Sequence, residues 1–303
     1  MIVFKKRIMK KVLDTIWEFY FKNYKIFMIV PVLFLIFSLS IIVNNMIKTG
    51  DIMKMDVSLK GGTTISIATD KLFEIKDLNE WFLSEFKVED VSVRRLTDVV
   101  SGKINGYTFG STSKIDLSEL KTKTMEKFQV EEETLSIAIQ GPILGENFIA
   151  GTSRIILIAL ILMGITIFWR FKKITPAISI LFSTSTDIFA IITALSLMGE
   201  RLSIASIGAL LMIIGYSTES DVLLATNILK KEEGTLKERM KDALKTEITM
   251  DITALVCFGV MWIVSTVTIT KEISLVLLLG LIFNFIDTWF LGAGLQRMYA
   301  EKK

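Results

Sequence analysis

Six long apolar stretches enclose one polar block. They run from Ile26 to Ile47, Ile149 to Trp169, Ile174 to Met198, Leu202 to Leu229, Ile248 to Ile269 and Ile273 to Gln296, with the polar block between the first and the second. A helix needs about 20 apolar residues to cross a bilayer. Each stretch reaches that length, and the third contains a single charge, Asp187. The pattern predicts a polytopic α-helical membrane protein with six transmembrane helices, arranged one plus five.

Inside the polar block the period changes. Thr63 to Ala68 alternates like a half-buried strand, and Ile75 to Phe86 has helical spacing through Leu78, Trp81 and Phe82. Val88 to Leu96 alternates again, and Gly106 to Gly110 reads as a short strand entered by a turn at Asn105-Gly106. Asp116 to Phe128 reads as a second helix and Thr134 to Gln140 as a last strand. The order β-α-β-β-α-β is that of a split βαβ, ferredoxin-like domain. The pair Gly61-Gly62 opens its first strand, and a simple connection is the favoured reading of it over a special backbone turn.

The first 24 residues have a third pattern. Phe4, Ile8, Val12 and Ile16 recur at i+4, as do Met9, Leu13 and Trp17, with lysines between. This predicts a basic amphipathic helix on the cytoplasmic membrane surface; the alternative is a helix packed on the protein's own loops.

Basic residues orient the chain. Lys5, Lys6, Arg7, Lys10, Lys11, Lys22 and Lys25 precede the first span; Arg170, Lys172 and Lys173 follow the second. Lys230, Lys231, Lys237, Arg239, Lys241 and Lys245 follow the fourth, and Arg297, Lys302 and Lys303 end the chain. The two short turns on the other side hold only Arg201 and Lys271. Positive loops stay in the cytoplasm, so both termini are expected there and the polar block outside. The expected organisation is a cytoplasmic amphipathic helix at 1–24, a transmembrane helix at 25–47, and an extracytoplasmic α+β ferredoxin-like domain at 48–148. A five-helix transmembrane bundle at 149–298 follows, with a cytoplasmic loop at 230–246 and a cytoplasmic tail at 299–303. No cleaved signal peptide is expected, because the first apolar run is long for one and no small-residue cleavage site precedes Lys48.

Composition agrees with a cell-membrane protein: 51% of the 303 residues are hydrophobic, and the mean hydropathy is +0.53. The single cysteine, Cys257, falls in a span and excludes an intrachain disulfide. There is no histidine, which excludes His-based triads, His proton shuttles and the usual zinc sites. Pro31 lies within the first predicted span, where a kink is expected, and Pro176 at the start of the third.

The candidate chemistry is therefore carboxylate chemistry. Asp187 lies near the middle of span 3; Glu219 and Asp221 in span 4; Asp251 near the cytoplasmic end of span 5; Asp287 in span 6. No lysine or arginine lies deep in any span to pair with them. Charge at bilayer depth is costly, so each is a functional candidate, and an acid that takes up and releases a proton can serve a proton path. Structural alternatives stay open. Glu219 and Asp251 could face a cytoplasmic vestibule, and Asp187, after Ser183-Thr184-Ser185-Thr186, could be a hydrogen-bonded link between helices. Glu219 and Asp221, two apart, point to different faces of their helix.

With Gly61-Gly62-Thr63 at the head of the outside domain, Ile214-Gly215-Tyr216-Ser217 in span 4 and the run from Ile282 to Leu295 in span 6, the chain resembles the SecF family of protein-export membrane proteins, archaeal branch. The resemblance covers nearly everything from Lys22. It implies a fold of the resistance-nodulation-division type, a heterocomplex with SecD, and work beside a SecY-type translocon on an exported polypeptide in the lipid bilayer. Energy would come from the proton gradient, with no cofactor, no metal, no enzymatic activity and no nucleic-acid partner. Many bacterial members carry an Asp, preceded by Asn, with two residues between it and Gly-Tyr-Ser; without gaps it falls on Ser220, between Glu219 and Asp221. The role passes to that pair, with Asp221 preferred. The bacterial Arg-Thr of span 5 is replaced by Met250-Asp251. Two other classes remain: a proton-coupled exporter of small molecules or lipids, which usually has about twice as many spans, and a membrane scaffold whose acids only bind helices together. An intramembrane metalloprotease is disfavoured, because His-Glu-x-x-His needs histidine.

Overall fold

The computed structural model describes residues 2–88, 90–98, 101–113, 115–140 and 143–301, with 2–13, 16, 140 and 143–150 as backbone only. It is mostly helical, and six of its described helices are long and apolar enough to cross a membrane. A first helix, α1 (Ile2–Phe27), runs into α2 (Ile29–Thr49) with a break in helical geometry at Asn23. A short turn of helix, α3 (Val57–Lys60), leads into β1 (Gly62–Ala68), α4 (Ile75–Phe86), β2 (Ser92–Thr97), β3 (Ile104–Ser111), α5 (Leu117–Phe128) and β4 (Leu135–Gln140). Then come α6 (Ile143–Phe171), α7 (Ile174–Leu197), α8 (Ile204–Leu229), α9 (Leu236–Val264) and α10 (Thr268–Asp287). A π-helical turn, Thr288–Gly292, joins α10 to α11 (Ala293–Glu301).

The four strands form one sheet in the order β2-β3-β1-β4, with every neighbour antiparallel. Ile65 and Ile67 of β1 pair with Phe109 and Tyr107 of β3, so alternate side chains of both strands share one face. Leu78 and Phe82 of α4 and Leu120 and Phe128 of α5 cover that face and close a core built from the sheet and these two helices. Period-2 strands and period-3.6 helices supply one apolar surface each, which is what such a layered core requires. Asp116 caps α5, accepting the Ser118 and Glu119 amides at 2.8 and 3.1 Å.

In the bundle α7, α8 and the α10–α11 unit are central: 61%, 50% and 50% of their most apolar windows are buried, against 17%, 11% and 11% for α2, α6 and α9. The outer faces left exposed, with Ile36, Leu162 and Val256 among them, are apolar. They suit lipid or another bundle rather than water.

Two strips of polar contacts join sheet and bundle. The backbone at Met55 bridges Leu202, with the Asp56 amide donating to Leu202 O at 2.8 Å and the Leu202 amide to Lys54 O at 2.9 Å. Arg201, between α7 and α8, donates bidentately to Asp90 at 2.5 and 2.6 Å and to Val91 O at 2.6 Å. Arg94 of β2 pairs with Glu272 of α10 at 2.9 Å, and Ser203 donates to the same carboxylate at 2.6 Å.

Several local expectations are corrected. Pro31 sits in the first turn of α2, where its missing N–H costs no hydrogen bond, so it marks a helix start and the break falls upstream. The stretch read as a loop to 246 is helical from Leu236, because Thr235 and Glu238 form a reciprocal capping box that starts α9 inside the basic segment. The β2–β3 connection lies at Asp98–Lys103, not at Asn105-Gly106; Gly106 is inside β3, where a Cβ would run into the Ile67 carbonyl. Gly61-Gly62 is more than a simple connection: both residues have positive φ (77° and 139°), and a Cβ on Gly62 would collide with the Ser111 carbonyl.

The described side chains of α1 pack on the protein itself, as the alternative reading of the first 24 residues expected. Trp17 and Tyr20 are buried against Leu224, Ile228, Met240 and Trp289. Asp14 pairs with Lys241 and Glu18 with Lys237. The Arg297 guanidinium stacks 3.6 Å from the Phe21 ring centre and donates to Phe21 O at 2.6 Å. The earlier half of the pattern, Phe4 to Leu13, lies outside the described side chains.

Candidate functional site

Three elements, α7, α8 and α10 with its π turn, each deliver one carboxylate to the middle of the bundle. Asp187, Asp221 and Asp287 are 0%, 0% and 3% exposed. They lie close enough for their charges to act on one another. Their immediate surroundings are hydroxyls and an amide. Ser217 donates to Asp187 Oδ2 at 2.7 Å, and Thr184 stands 3.4 Å from Ser217 Oγ. Asn284 donates to Ser220 Oγ at 3.3 Å and accepts from Thr288 Oγ1 at 3.3 Å. Ser183 and Thr288 flank Asp221 without reaching good hydrogen-bond geometry, so both of its oxygens, and both of Asp287, lack a partner among the described residues.

No described lysine or arginine reaches these acids. An unmade bond to a buried polar atom costs about 1–3 kcal/mol, and more when the group is charged. Like charges at this range repel, and nothing fixed offsets them. Such a cluster is suited to exchange charge with a mobile cation, of which a proton is the smallest. The π turn adds to this. Thr288–Gly292 departs from the α-helical ladder beside Asp287 and Asp221, and π turns of this kind recur at functional sites. Gly292 leaves the room: a Cβ there would stand 3.1 Å from Asp221 Oδ1.

The Gly215-Tyr216-Ser217 motif divides its work. Ser217 holds Asp187, Tyr216 donates to Asp251 Oδ1 at 2.8 Å, and Gly215 lies on the exposed side of α8. Glu219 is exposed on that same side, while Asp221 points inward, as two positions two apart on a helix must differ. The structure thus brings together Asp187, Asp221 and Asp287. Asp251 stands apart with Tyr216, and Glu219 is separate. Gly61 and Gly62 belong to the entry of the sheet domain.

Sequence reasoning missed Glu247, fully buried on α9, whose Oε2 accepts the Trp289 indole N–H at 2.9 Å. The signal was its i,i+4 spacing to Asp251. It also missed Ser220, Asn284 and Thr288 as the polar lining. Tyr20 adds a further contact from α1, donating to Trp289 O at 2.5 Å; burial holds its phenol well above the ordinary tyrosine range, so it stays a neutral donor.

The comparisons with known proteins point one way. The family model described as "Protein export membrane protein SecD/SecF, C-terminal" matches residues 120–302. A "Protein-export membrane protein SecF" of Pyrococcus furiosus is 32% identical over 276 residues, 91% of this chain and 90% of the relative. The same-named proteins of Methanothermobacter thermautotrophicus and Methanocaldococcus jannaschii are 27% and 30% identical over 92% of this chain, and 94% and 96% of their own lengths are covered. The crystal structure of SecDF, a translocon-associated membrane protein from Thermus thermophilus, matches 94% of this chain with a TM-score of 0.73 at 15% identity. SecDF in its super-membrane-facing form matches 90% with a TM-score of 0.62 at 16% identity. At such identity the likeness is one of fold, and this chain spans 38% of the length of either structure.

Proposed function

This chain belongs to the SecD/SecF family of protein-export membrane proteins, and we propose that it is the SecF-type half of a SecD–SecF heterocomplex that assists export at a SecY-type translocon. The observation that carries the coupling is the trio Asp187, Asp221 and Asp287, buried at the meeting of three helices with no lysine or arginine reaching it among the described residues. We read it as the place where proton movement is converted into helix movement, with Asp221 as the principal carrier because it is wholly buried, unpartnered and set against the π turn.

The partner is read from the matched fold and from the surface. The chain matches 38% of the length of the SecDF structures, and the remainder of that architecture is what a SecD-type partner would supply. The outer face of α8 carries Ile204, Gly208, Met212, Gly215 and Glu219, all exposed, and a Cβ at Gly208 or Gly215 would meet nothing. Small residues on a lipid-depth face permit close approach of another helix, and a SecD bundle laid there would cover Glu219. The sheet with α4 and α5 is read as the ferredoxin-like arrangement, supported by the order β2-β3-β1-β4 and by helices after β1 and β3. Both termini are placed in the cytoplasm on the strength of the basic loops.

The test is Asp221→Asn, which keeps volume and polarity and removes the titrating proton. The complex should assemble and melt as the wild type does, while gradient-dependent export in vesicles falls at least tenfold. Glu219→Gln should leave export within about twofold if its role is at the partner face. Full export in Asp221→Asn would reject the relay and favour the scaffold reading.

A further inference from the structure

We propose that Glu247 and Asp251 form a second carboxylate station on the basic-loop side of the bundle, separated by the Trp289 indole from a cavity open to that side. The inference rests on the reading that the bundle carries protons and names the route by which they are exchanged with the cytoplasm.

A cavity of about 1030 Å³ lies between α1, the turn before α9 and the first half of α9. Its walls include Trp17, Tyr20, Lys241, Leu244, Phe285 and Trp289. Glu247 is not on the wall. It lies behind Trp289, fully buried, with Oε2 taking the indole N–H and Oε1 without a partner among the described residues. One helical turn on, Asp251 accepts from Tyr216 at 2.8 Å, and its Oδ2 is likewise unpartnered. Asp221 is near enough to act on Glu247 directly. Tyr216 adjoins Ser217, which holds Asp187. From Glu247 inward to the central trio the described polar groups include no lysine or arginine, whereas the cavity wall itself carries Lys241. Glu247 is within electrostatic reach of Tyr20, Tyr216, Asp221 and Asp251; Arg297 acts on Tyr20, and Lys231, Arg239, Lys241 and Lys245 line the cavity on the same side.

A structural role is a poor account of this arrangement. One acceptor for one indole N–H could be supplied by glutamine, with no charge to bury. A carboxyl group kept here with one oxygen unpartnered among the described residues, at the cost of a missing bond, is explained by proton exchange. In that step a hydronium ion in the cavity gives a proton to Oε1 and is left as water, the indole moves aside to admit it, and the proton passes on to Asp251 or Asp221, leaving Glu247 a carboxylate again. Only a proton moves, and the same path serves in reverse.

Infrared difference spectra of the full chain across a pH step read Glu247 without requiring transport. The wild type should show a carboxyl C=O change that Glu247→Gln removes and Glu247→Asp shifts. Trp289→Phe, which keeps a ring and deletes the N–H, should move the pH at which that band responds. An unaltered spectrum in Glu247→Gln overturns the proposal. In vesicles of the purified complex, Glu247→Gln should cut proton flux at least tenfold at unchanged melting temperature, and Glu247→Asp should restore part of it. If Asp221→Asn abolishes flux and Glu247→Gln does not, this station falls and the central relay stands. If neither lowers flux, the relay itself falls.

Discussion

The joint between sheet and bundle rests on one arginine whose removal has a calculable cost. Arg201 makes three short N–H···O bonds, two to the Asp90 carboxylate and one to Val91 O, and its side chain is 11% exposed against 28% for Asp90. A hydrogen bond to a charged group is worth about 1.5–3 kcal/mol, whereas an exposed ion pair gives about 0–1. The pair lies between these limits: Arg201 is nearly enclosed, and Asp90 can be rehydrated when left alone. Arg201→Ala should therefore loosen the joint by about 2 kcal/mol, of which about 1–1.5 kcal/mol is coupling to Asp90. The readout is amide exchange at Asp56 and Leu202, whose N–H groups bridge the linker before the sheet to the α7–α8 turn beside Arg201. At about 1.4 kcal/mol per tenfold, exchange there should speed up some ten- to thirtyfold, with the β1 and β3 amides of the sheet core unchanged. Asp90→Ala should give a smaller increase, and the double variant should add little to Arg201→Ala. Strictly additive effects, or equal acceleration in the sheet core, would refute the joint as the local element that Arg201 holds.

Other outcomes follow from single features. In a Cys257→Ser background, a cysteine at Ser118 should be labelled by an impermeant thiol reagent added outside and one at Glu233 should not; the reverse pattern would overturn the topology. Residues 61–140, expressed alone, should melt cooperatively with a mixed α/β spectrum, because the core formed by Ile65, Phe82, Phe109 and Phe128 is closed within them; a disordered product would show dependence on the bundle. Gly62→Ala should destabilise that fragment by more than about 2 kcal/mol, since it combines an unfavourable φ with a backbone collision at Ser111; a shift below about 0.5 kcal/mol would show that the β1–β3 approach is looser than described.

What could be read from the chain depended on whether a residue's role was written into its own neighbourhood. Spans and strands are periodic, so β1 at Gly62–Ala68 and α7 at Ile174–Leu197 fall within a residue or so of their expected bounds. The start of α9 was missed because it is set by a cap, Thr235 with Glu238, among charged residues where apolar period is silent. The same limit hid Glu247. It lies one residue before the apolar run that defines the fifth span, so the signal of charge at depth did not reach it, although α9 carries it inward on the face of Asp251. Asp187, Asp221 and Asp287 could be picked out singly because charge at depth is costly wherever it occurs. That they converge, and that Glu219 does not join them, depends on how α7, α8 and α10 are rotated about their axes. Rotation is fixed by contacts between distant segments, such as Gly280 of α10 set against Ile213 of α8. The π turn illustrates the point most directly. Nothing in Thr288–Gly292 departs from helical propensity strongly enough to foretell it, yet it places Gly292 against Asp221 and turns Trp289 back onto Glu247. The two carboxylate stations thus share one irregular turn of backbone, so a shift of that turn alters the room at Asp221 and the cover over Glu247 together. On the proposed reading, this shared turn is the element through which proton occupancy of one cluster would be felt at the other.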